Sequence, residues 1–207
     1  MSRKTRQKST PRKGASLQVR IIGGKWKGRK LNVTGNADLR PTPGRSRETL
    51  FNWLRAELIG SRCLDLFAGT GALGLEALSQ GAGQVTLVEN NPQTCQSLAK
   101  IIEALGSNAD IRLVQSDAIR FLKQSAEGKP PPAWDIVFLD PPFQRNELID
   151  AAMVLLHENA LAGEYIYLEA ATAAQINQMA ERYACTVYRT TRAGDSHAAL
   201  LRPHKAC

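Results

Sequence analysis

Asp140-Pro141-Pro142-Phe143 directly follows the apolar run Ile136-Val137-Phe138-Leu139, so an acid, two prolines and an aromatic stand at the end of a predicted buried strand. Each proline fixes φ near about −65°, lacks an N–H and restricts the residue before it to extended geometry, which leaves stiff, unpaired carbonyls. One carboxylate and one such carbonyl make two acceptors for the two N–H bonds of an exocyclic amine. Accepting both redirects the delocalised nitrogen lone pair toward an electrophile. Phe143 is placed to stack on the ring that carries the amine, a contact worth about 1–3 kcal/mol per base. Asp-Pro-Pro is also ordinary turn chemistry after a strand, so the chemical reading depends on the rest of the chain.

Strands that would position this corner are predicted at 63–67, 85–89, 111–115, 136–139, 165–169, 186–190 and 198–201, mostly short and apolar as buried parallel strands are. Helical stretches at 71–80, 92–105, 117–125, 145–157 and 172–182 separate the first five and supply the crossovers. The last two have only residues 192–197 between them, too few for a helical crossover. The expected fold is α/β, a doubly wound, seven-stranded, mostly parallel sheet with an antiparallel edge pair. A helix from Ser46, read as its N-cap, presents Leu50, Phe51, Leu54 and Leu58 on one face and leads into the sheet.

The first strand runs into Asp65-Leu66-Phe67-Ala68-Gly69-Thr70-Gly71-Ala72-Leu73-Gly74, with Gly69-x-Gly71-x-x-Gly74 in a strand, turn and helix context. Such glycines permit a tight turn and close approach of a ligand to a helix N-terminus, which suits dinucleotides and other adenosine cofactors alike. Glu89 ends the second strand, where its carboxylate can take both hydroxyls of a ribose from NAD or from S-adenosylmethionine. Asp117 follows the third strand, placed to accept from an adenine amino group. Glu89 and Asp117 also suit ordinary helix N-termini, and the glycines suit packing. Together with Asp140, however, these features occupy the carboxyl ends of four consecutive strands, the edge at which open α/β sheets bind ligands.

Charge separates the chain into two parts. Residues 1–60 hold 15 Lys and Arg against 3 Asp and Glu, a net of +12 within the overall +8. Residues 1–16 form a basic arm without apolar periodicity, expected to stay disordered until it meets phosphate. Residues 17–45 form a hairpin extension with Arg20, Lys25, Lys27, Arg29 and Lys30 as phosphate contacts and Trp26 as either core or base platform, and 46–207 form the catalytic domain. Cys63, Cys95, Cys185 and Cys207 lie far apart with no Cys-x-x-Cys pair, which predicts inert thiols in a reducing compartment and no metal. No apolar stretch approaches the ~20 residues of a membrane span. The expectation is a soluble, cytoplasmic, monomeric protein.

With these motifs in place, the chain resembles the class I S-adenosylmethionine-dependent methyltransferases. Ile21-Ile22-Gly23-Gly24, Gly28-Arg29-Lys30-Leu31 and Arg40-Pro41-Thr42-x-x-Arg45-x-Arg47-Glu48-Thr49-Leu50-Phe51-Asn52-Trp53-Leu54 further resemble the RsmD family, which methylates guanine N2 in bacterial 16S ribosomal RNA. The resemblance implies S-adenosylmethionine as cofactor, S-adenosylhomocysteine as product and no metal. It implies ribosomal RNA as partner, alone or within the small subunit or an assembly intermediate. Asp65, Ala68, Gly69, Thr70, Gly71, Gly74, Glu89, Asn90, Asp117 and Ala118 would hold the cofactor, with Thr42 and Arg45 at its border. Asp140, Pro141, Pro142 and Phe143 would hold the target amine, and Arg40 and Arg47 would join the basic hairpin on RNA. Competing expectations are a DNA adenine-N6 or cytosine-N4 amino methyltransferase, a dehydrogenase, and a ribosome-associated RNA-binding module without catalysis.

Overall fold

The computed structural model describes residues 16–34, 44–127, 133–141, 145–193 and 196–204. Residues 1–15 of the basic arm lie outside these residues, as do Arg40, Thr42, Pro142, Phe143, Cys207 and the side chain of Arg45. Strands β3 (Arg62–Asp65), β4 (Gln84–Glu89), β5 (Ile111–Gln115), β6 (Trp134–Leu139), β7 (Ala162–Ala170), β8 (Cys185–Ala193) and β9 (Ser196–Pro203) build one sheet in the order β5-β4-β3-β6-β7-β9-β8. Pairs β3–β4, β4–β5, β3–β6 and β6–β7 are parallel, and β9 runs antiparallel to both β7 and β8. The doubly wound expectation and its antiparallel edge pair are met. The last three strands are longer than their apolar centres indicated, because pairing with β6 extends β7 back to Ala162 and the β8–β9 pairing extends those two strands past the hydrophobic stretch.

Helices α1 (Gly44–Leu54), α2 (Ala72–Ser79) and α3 (Pro92–Leu105) pack on one face of the sheet, and α4 (Ala118–Ala126), α5 (Asn146–Glu158) and α6 (Ala173–Arg182) on the other. Local chemistry explains the sharpest boundaries. Asn91 accepts from the Gln93 and Thr94 amides, Pro92 opens α3, and Gly106 closes it in the left-handed conformation. Thr172 and Gln175 form a reciprocal capping box at α6. Ser46 is not the cap of α1: the helix begins at Gly44 and Ser46 lies inside its first turn, buried. Leu50, Phe51 and Leu54 face the core as the periodicity predicts, Phe51 standing 6.1 Å from the Phe138 ring on β6.

The N-terminal hairpin consists of β1 (Ser16–Arg20) and β2 (Lys30–Thr34), antiparallel, with a 3-10 turn at Gly24–Trp26 between them. Val19, Ile21, Trp26 and Leu31 are buried in the same cluster as α1, α2 and α3, so the hairpin shares the core of the rest of the chain. Its tip is held by α2. Ser79 Oγ donates to Gly23 O at 2.6 Å and accepts from the Trp26 amide at 3.0 Å. Gly24 sits at φ +73, and a Cβ there would lie 1.7 Å from the Ser79 carbonyl oxygen. Substituting Gly24→Ala is therefore expected to cost roughly 2–4 kcal/mol through backbone strain and overpacking. Urea denaturation checks this: an unchanged midpoint would mean that the tip is not seated on α2.

Candidate functional site

Four strand ends converge at the carboxyl edge where strand order reverses between β3 and β6. β3 ends at Asp65, which is 1 % exposed, and its Oδ2 accepts from the Gly74 amide at 2.9 Å. Burial pushes the Asp65 carboxyl up to about 7, opposed by the hydrogen bond from Gly74 and reinforced by the charge of Glu89. Gly69 and Gly71 carry φ +49 and +72, so the turn reverses direction at positions that L side chains disfavour. Gly74 allows α2 to approach the sheet: a Cβ there would meet Leu87 Cδ2 at 2.3 Å and Val85 Cγ1 at 3.0 Å. No side chain caps α2. The amides at its leading end have the geometry that favours a polar ligand.

Glu89, at the end of β4, is gripped from two sides: Oε2 accepts from the Gly69 amide at 2.9 Å and Oε1 from the Asn91 amide at 2.7 Å. Each carboxylate oxygen keeps a further acceptor direction, so the group is fixed in orientation with capacity for two hydroxyls. The grip also ties the glycine turn to the next strand. Asn90 beside it is exposed, and Ala68 and Thr70 are buried within the turn. Asp117 follows β5, where its Oδ1 caps α4 by accepting from the Ile119 and Arg120 amides at 3.0 Å each. Asp117 thus serves as a helix cap through Oδ1, and Ala118 beside it is buried. This donor and acceptor set, with one orientable carboxylate per strand end, fits the ribose and adenine of S-adenosylmethionine.

Asp140 and Pro141 follow β6, half-buried, on the same edge. Asp140 lies close enough to Tyr167 on β7 for its charge to help raise that phenol's pKa, after burial and the nearer Glu169. Pro142 and Phe143, the remainder of the predicted corner, fall outside the described residues. Among the described residues, no group of three or more His, Cys, Asp or Glu is arranged to hold a metal ion, and no helix is long and apolar enough to cross a membrane. Cys63, Cys95 and Cys185 are free, buried thiols, and burial pushes Cys63 up to about 12 and Cys185 up to about 11. In all three, burial disfavours the thiolate.

The basic hairpin is divided by the structure. Arg20, Lys25, Lys27, Arg29 and Lys30 are exposed. Arg29 donates to Ala104 O at 3.1 Å, and Lys25 stands 4.4 Å over the Trp26 ring. Arg29, Lys30 and Lys100 border a groove of about 430 Å³ between β2 and α3, floored by Leu31 and Ile101. Two residues assigned to RNA face inward instead. Trp26 is 9 % exposed and packs in the core, which removes the base-platform alternative. Arg47 is 5 % exposed, because its guanidinium is drawn to Glu76 Oε2 at 3.7 Å and donates to Arg20 O at 3.1 Å.

Glu76 was not singled out by any motif, yet it organises this region. It is fully buried; Oε2 accepts from the Ile22 amide and Oε1 from the Gly23 amide, both at 2.8 Å, and Gln80 Nε2 donates to Oε1 at 2.6 Å. A single carboxylate therefore joins the hairpin, α1 and the helix that follows the glycine turn. The available sequence signal was a glutamate inside the otherwise apolar and small α2 stretch Ala72–Ser79.

Comparison with known proteins places these features in a family. The sequence profile described as "Conserved hypothetical protein 95" matches residues 19–202. "Ribosomal RNA small subunit methyltransferase D" of Escherichia coli is 48 % identical over 161 residues, 77 % of this chain and 78 % of that protein. Its Haemophilus influenzae namesake is 45 % identical over 146 residues, 70 % and 74 % of the two chains. The solved structure titled "Putative methyltransferase yhhF from Escherichia coli" superposes with TM-score 0.75 at 38 % identity, covering 92 % of this chain and all of that one. A magnesium protoporphyrin IX methyltransferase from Synechocystis with bound SAM shares the fold, with TM-score 0.59 at 19 % identity over 77 % and 79 % of the chains. The chain belongs to the family described as Conserved hypothetical protein 95, the RsmD family that its motifs resemble.

Proposed function

We propose that this protein transfers a methyl group from S-adenosylmethionine to the exocyclic N2 amine of a guanine in 16S ribosomal RNA. The observation that carries the reading is the position of Asp140 and Pro141 on the edge that also holds the Glu89-gripped glycine turn, in a chain 48 % identical to a small-subunit rRNA methyltransferase. The bound cofactor supplies an electrophilic methyl carbon as a sulfonium, so no metal is required. Asp140 and the Pro141 carbonyl accept the two N–H bonds of the amine and aim its lone pair at that carbon. As nitrogen bonds to the methyl carbon, the carbon–sulfur bond breaks, and the surplus proton passes from nitrogen through the Asp140 hydrogen bond to water. Orientation and the field of the carboxylate provide most of the acceleration. Reaching the amine requires an unpaired or extruded base. The exposed hairpin cations and the groove beside α3 hold the neighbouring phosphates, within the small subunit or an assembly intermediate. A monomer in the cytoplasm, where the ribosome is, completes this reading.

The test is incubation of the purified protein with methyl-tritiated S-adenosylmethionine and small subunits, or their naked rRNA, from a strain lacking it. After nuclease digestion the label is expected in N2-methylguanosine. Label in N6-methyladenosine or N4-methylcytosine, or transfer to DNA alone, would overturn the assignment. Removing residues 1–16, which carry six Lys and Arg, is expected to weaken RNA binding and to reduce the slope of log K against log[salt] by about 0.7–0.9 for each phosphate that is no longer neutralised. An unchanged slope would make the arm a solubilising tail.

A further inference from the structure

The carboxyl corner holds a second acid that the proposed reaction does not use. Leu139 of β6 pairs with Leu168 of β7, and Phe138 with Tyr167 one step earlier. Phe138 and Tyr167 belong to the core on the α1 side of the sheet. Since successive residues alternate faces, Asp140 and Glu169, one step beyond the leucine pair, leave neighbouring strands level with each other on that same side. The strands lie about 4.8 Å apart. Glu169 is half-buried, and its Oε1 accepts from the Tyr167 hydroxyl at 2.6 Å, which fixes the carboxylate. Tyr167 itself is fully buried, and its phenol is raised well above its ordinary pKa by burial first, then by Glu169, with Asp140 contributing. Both carboxylates contribute to that shift, in keeping with their succession to the paired Leu139 and Leu168.

Two carboxylates at neighbouring strand ends present acceptors that a ligand with two adjacent donors matches. Among the bases with exocyclic amines, guanine alone places a ring N–H beside the amine. Adenine and cytosine place an unprotonated ring nitrogen there, and a carboxylate facing it repels. We infer that Glu169 is the specificity-determining residue of the site, accepting the N1–H of guanine while Asp140 and Pro141 hold the N2 amine. This rests on the guanine-N2 reading and deepens it: the pair Asp140 and Glu169 reads a donor–donor edge and excludes adenine and cytosine.

The experiment starts from the guanosine that the wild-type protein methylates, mapped on small-subunit rRNA. Ligated transcripts then carry at that position either guanosine or 2-aminopurine riboside, which keeps the amine but presents an unprotonated N1. Wild-type protein is expected to prefer guanosine by roughly ten- to a hundredfold, the effect of one unpaired buried polar group. In Glu169→Gln the amide can donate to the 2-aminopurine N1, so turnover on guanosine falls while the 2-aminopurine to guanosine ratio rises by about tenfold or more. Tyr167→Phe removes the hydroxyl that orients Glu169 but keeps the carboxylate and its charge, so turnover is expected to fall on both transcripts while guanosine stays preferred. Equal wild-type rates on the two transcripts, a ratio unmoved by Glu169→Gln, or the same shift in Tyr167→Phe would overturn the inference. The wild-type arm holds even if a variant fails to fold. Failure of the parent reading looks different: no N2-methylguanosine forms with any transcript.

Discussion

Replacing Asp140 with Ala is expected to reduce methyl transfer by about 10²–10³-fold, the usual consequence of deleting one preorganised polar group aimed at developing charge. The reduction should fall on kcat, because the carboxylate acts on the amine as its lone pair localises. Asp140 is half-buried at the end of β6, whereas the groups proposed for the adenosine lie at the ends of β3, β4 and β5. Affinity for S-adenosylhomocysteine should therefore stay within about twofold of wild type, a shift of under ~0.5 kcal/mol. Isothermal titration and a tritiated-methyl assay separate the two quantities. Full turnover by Asp140→Ala would remove the corner from the mechanism, and loss of cofactor affinity would reassign Asp140 to the cofactor side.

The largest expected loss of stability comes from Glu76→Ala, a residue remote from the chemistry. The substitution strands the Ile22 and Gly23 amides, the Gln80 amide and the buried Arg47 guanidinium together. Burial already lowers the Arg47 pKa and Glu76 opposes that shift, so removing Glu76 leaves an uncompensated buried charge. Breaking a buried pair from one side costs about 3–5 kcal/mol. Arg47 Nε and Nη1 make no hydrogen bond among the described residues, which leaves it little alternative support. The double substitution Arg47→Met with Glu76→Leu should recover part of the loss, because it removes both charges at once. Denaturant melts measure the stabilities, and hydrogen exchange at Ile22 and Gly23 reports whether the hairpin detaches first. A loss under ~1 kcal/mol for Glu76→Ala would show that the hairpin is held by apolar contacts alone.

The sheet was legible in the sequence because a buried parallel strand has little choice of composition. Runs such as Ile136–Leu139 and Val85–Glu89 announce themselves, and α3 was bounded correctly because Asn91, Pro92 and Gly106 each act within a few residues of the chain. The positions of the glycine turn and of the acids at the strand ends were legible for the same reason, since they follow from local geometry at one sheet edge. Long-range use of a polar side chain was not. Arg47 and Trp26 sit in a basic, nucleic-acid-like segment, and only contacts with α2 and β1 across about thirty to fifty positions turn them inward. Glu76 and Glu169 carry no motif, and their partners come from the hairpin, α1 and the strand itself. Asp117 was read as an adenine acceptor, and the structure adds a capping role, because its Oδ1 serves the first turn of α4.

The central claim is that the end of β6 faces the same crevice as the glycine turn, within bonding reach of the cofactor's methyl group. A crystal structure of the protein with S-adenosylhomocysteine tests it most directly. The account predicts the ribose on Glu89, the adenine beside Asp117, and the sulfur turned toward the Asp140 carboxylate and the Pro141 carbonyl with room for one base between them. A nucleoside lodged elsewhere, or a sulfur facing away from β6, would contradict it.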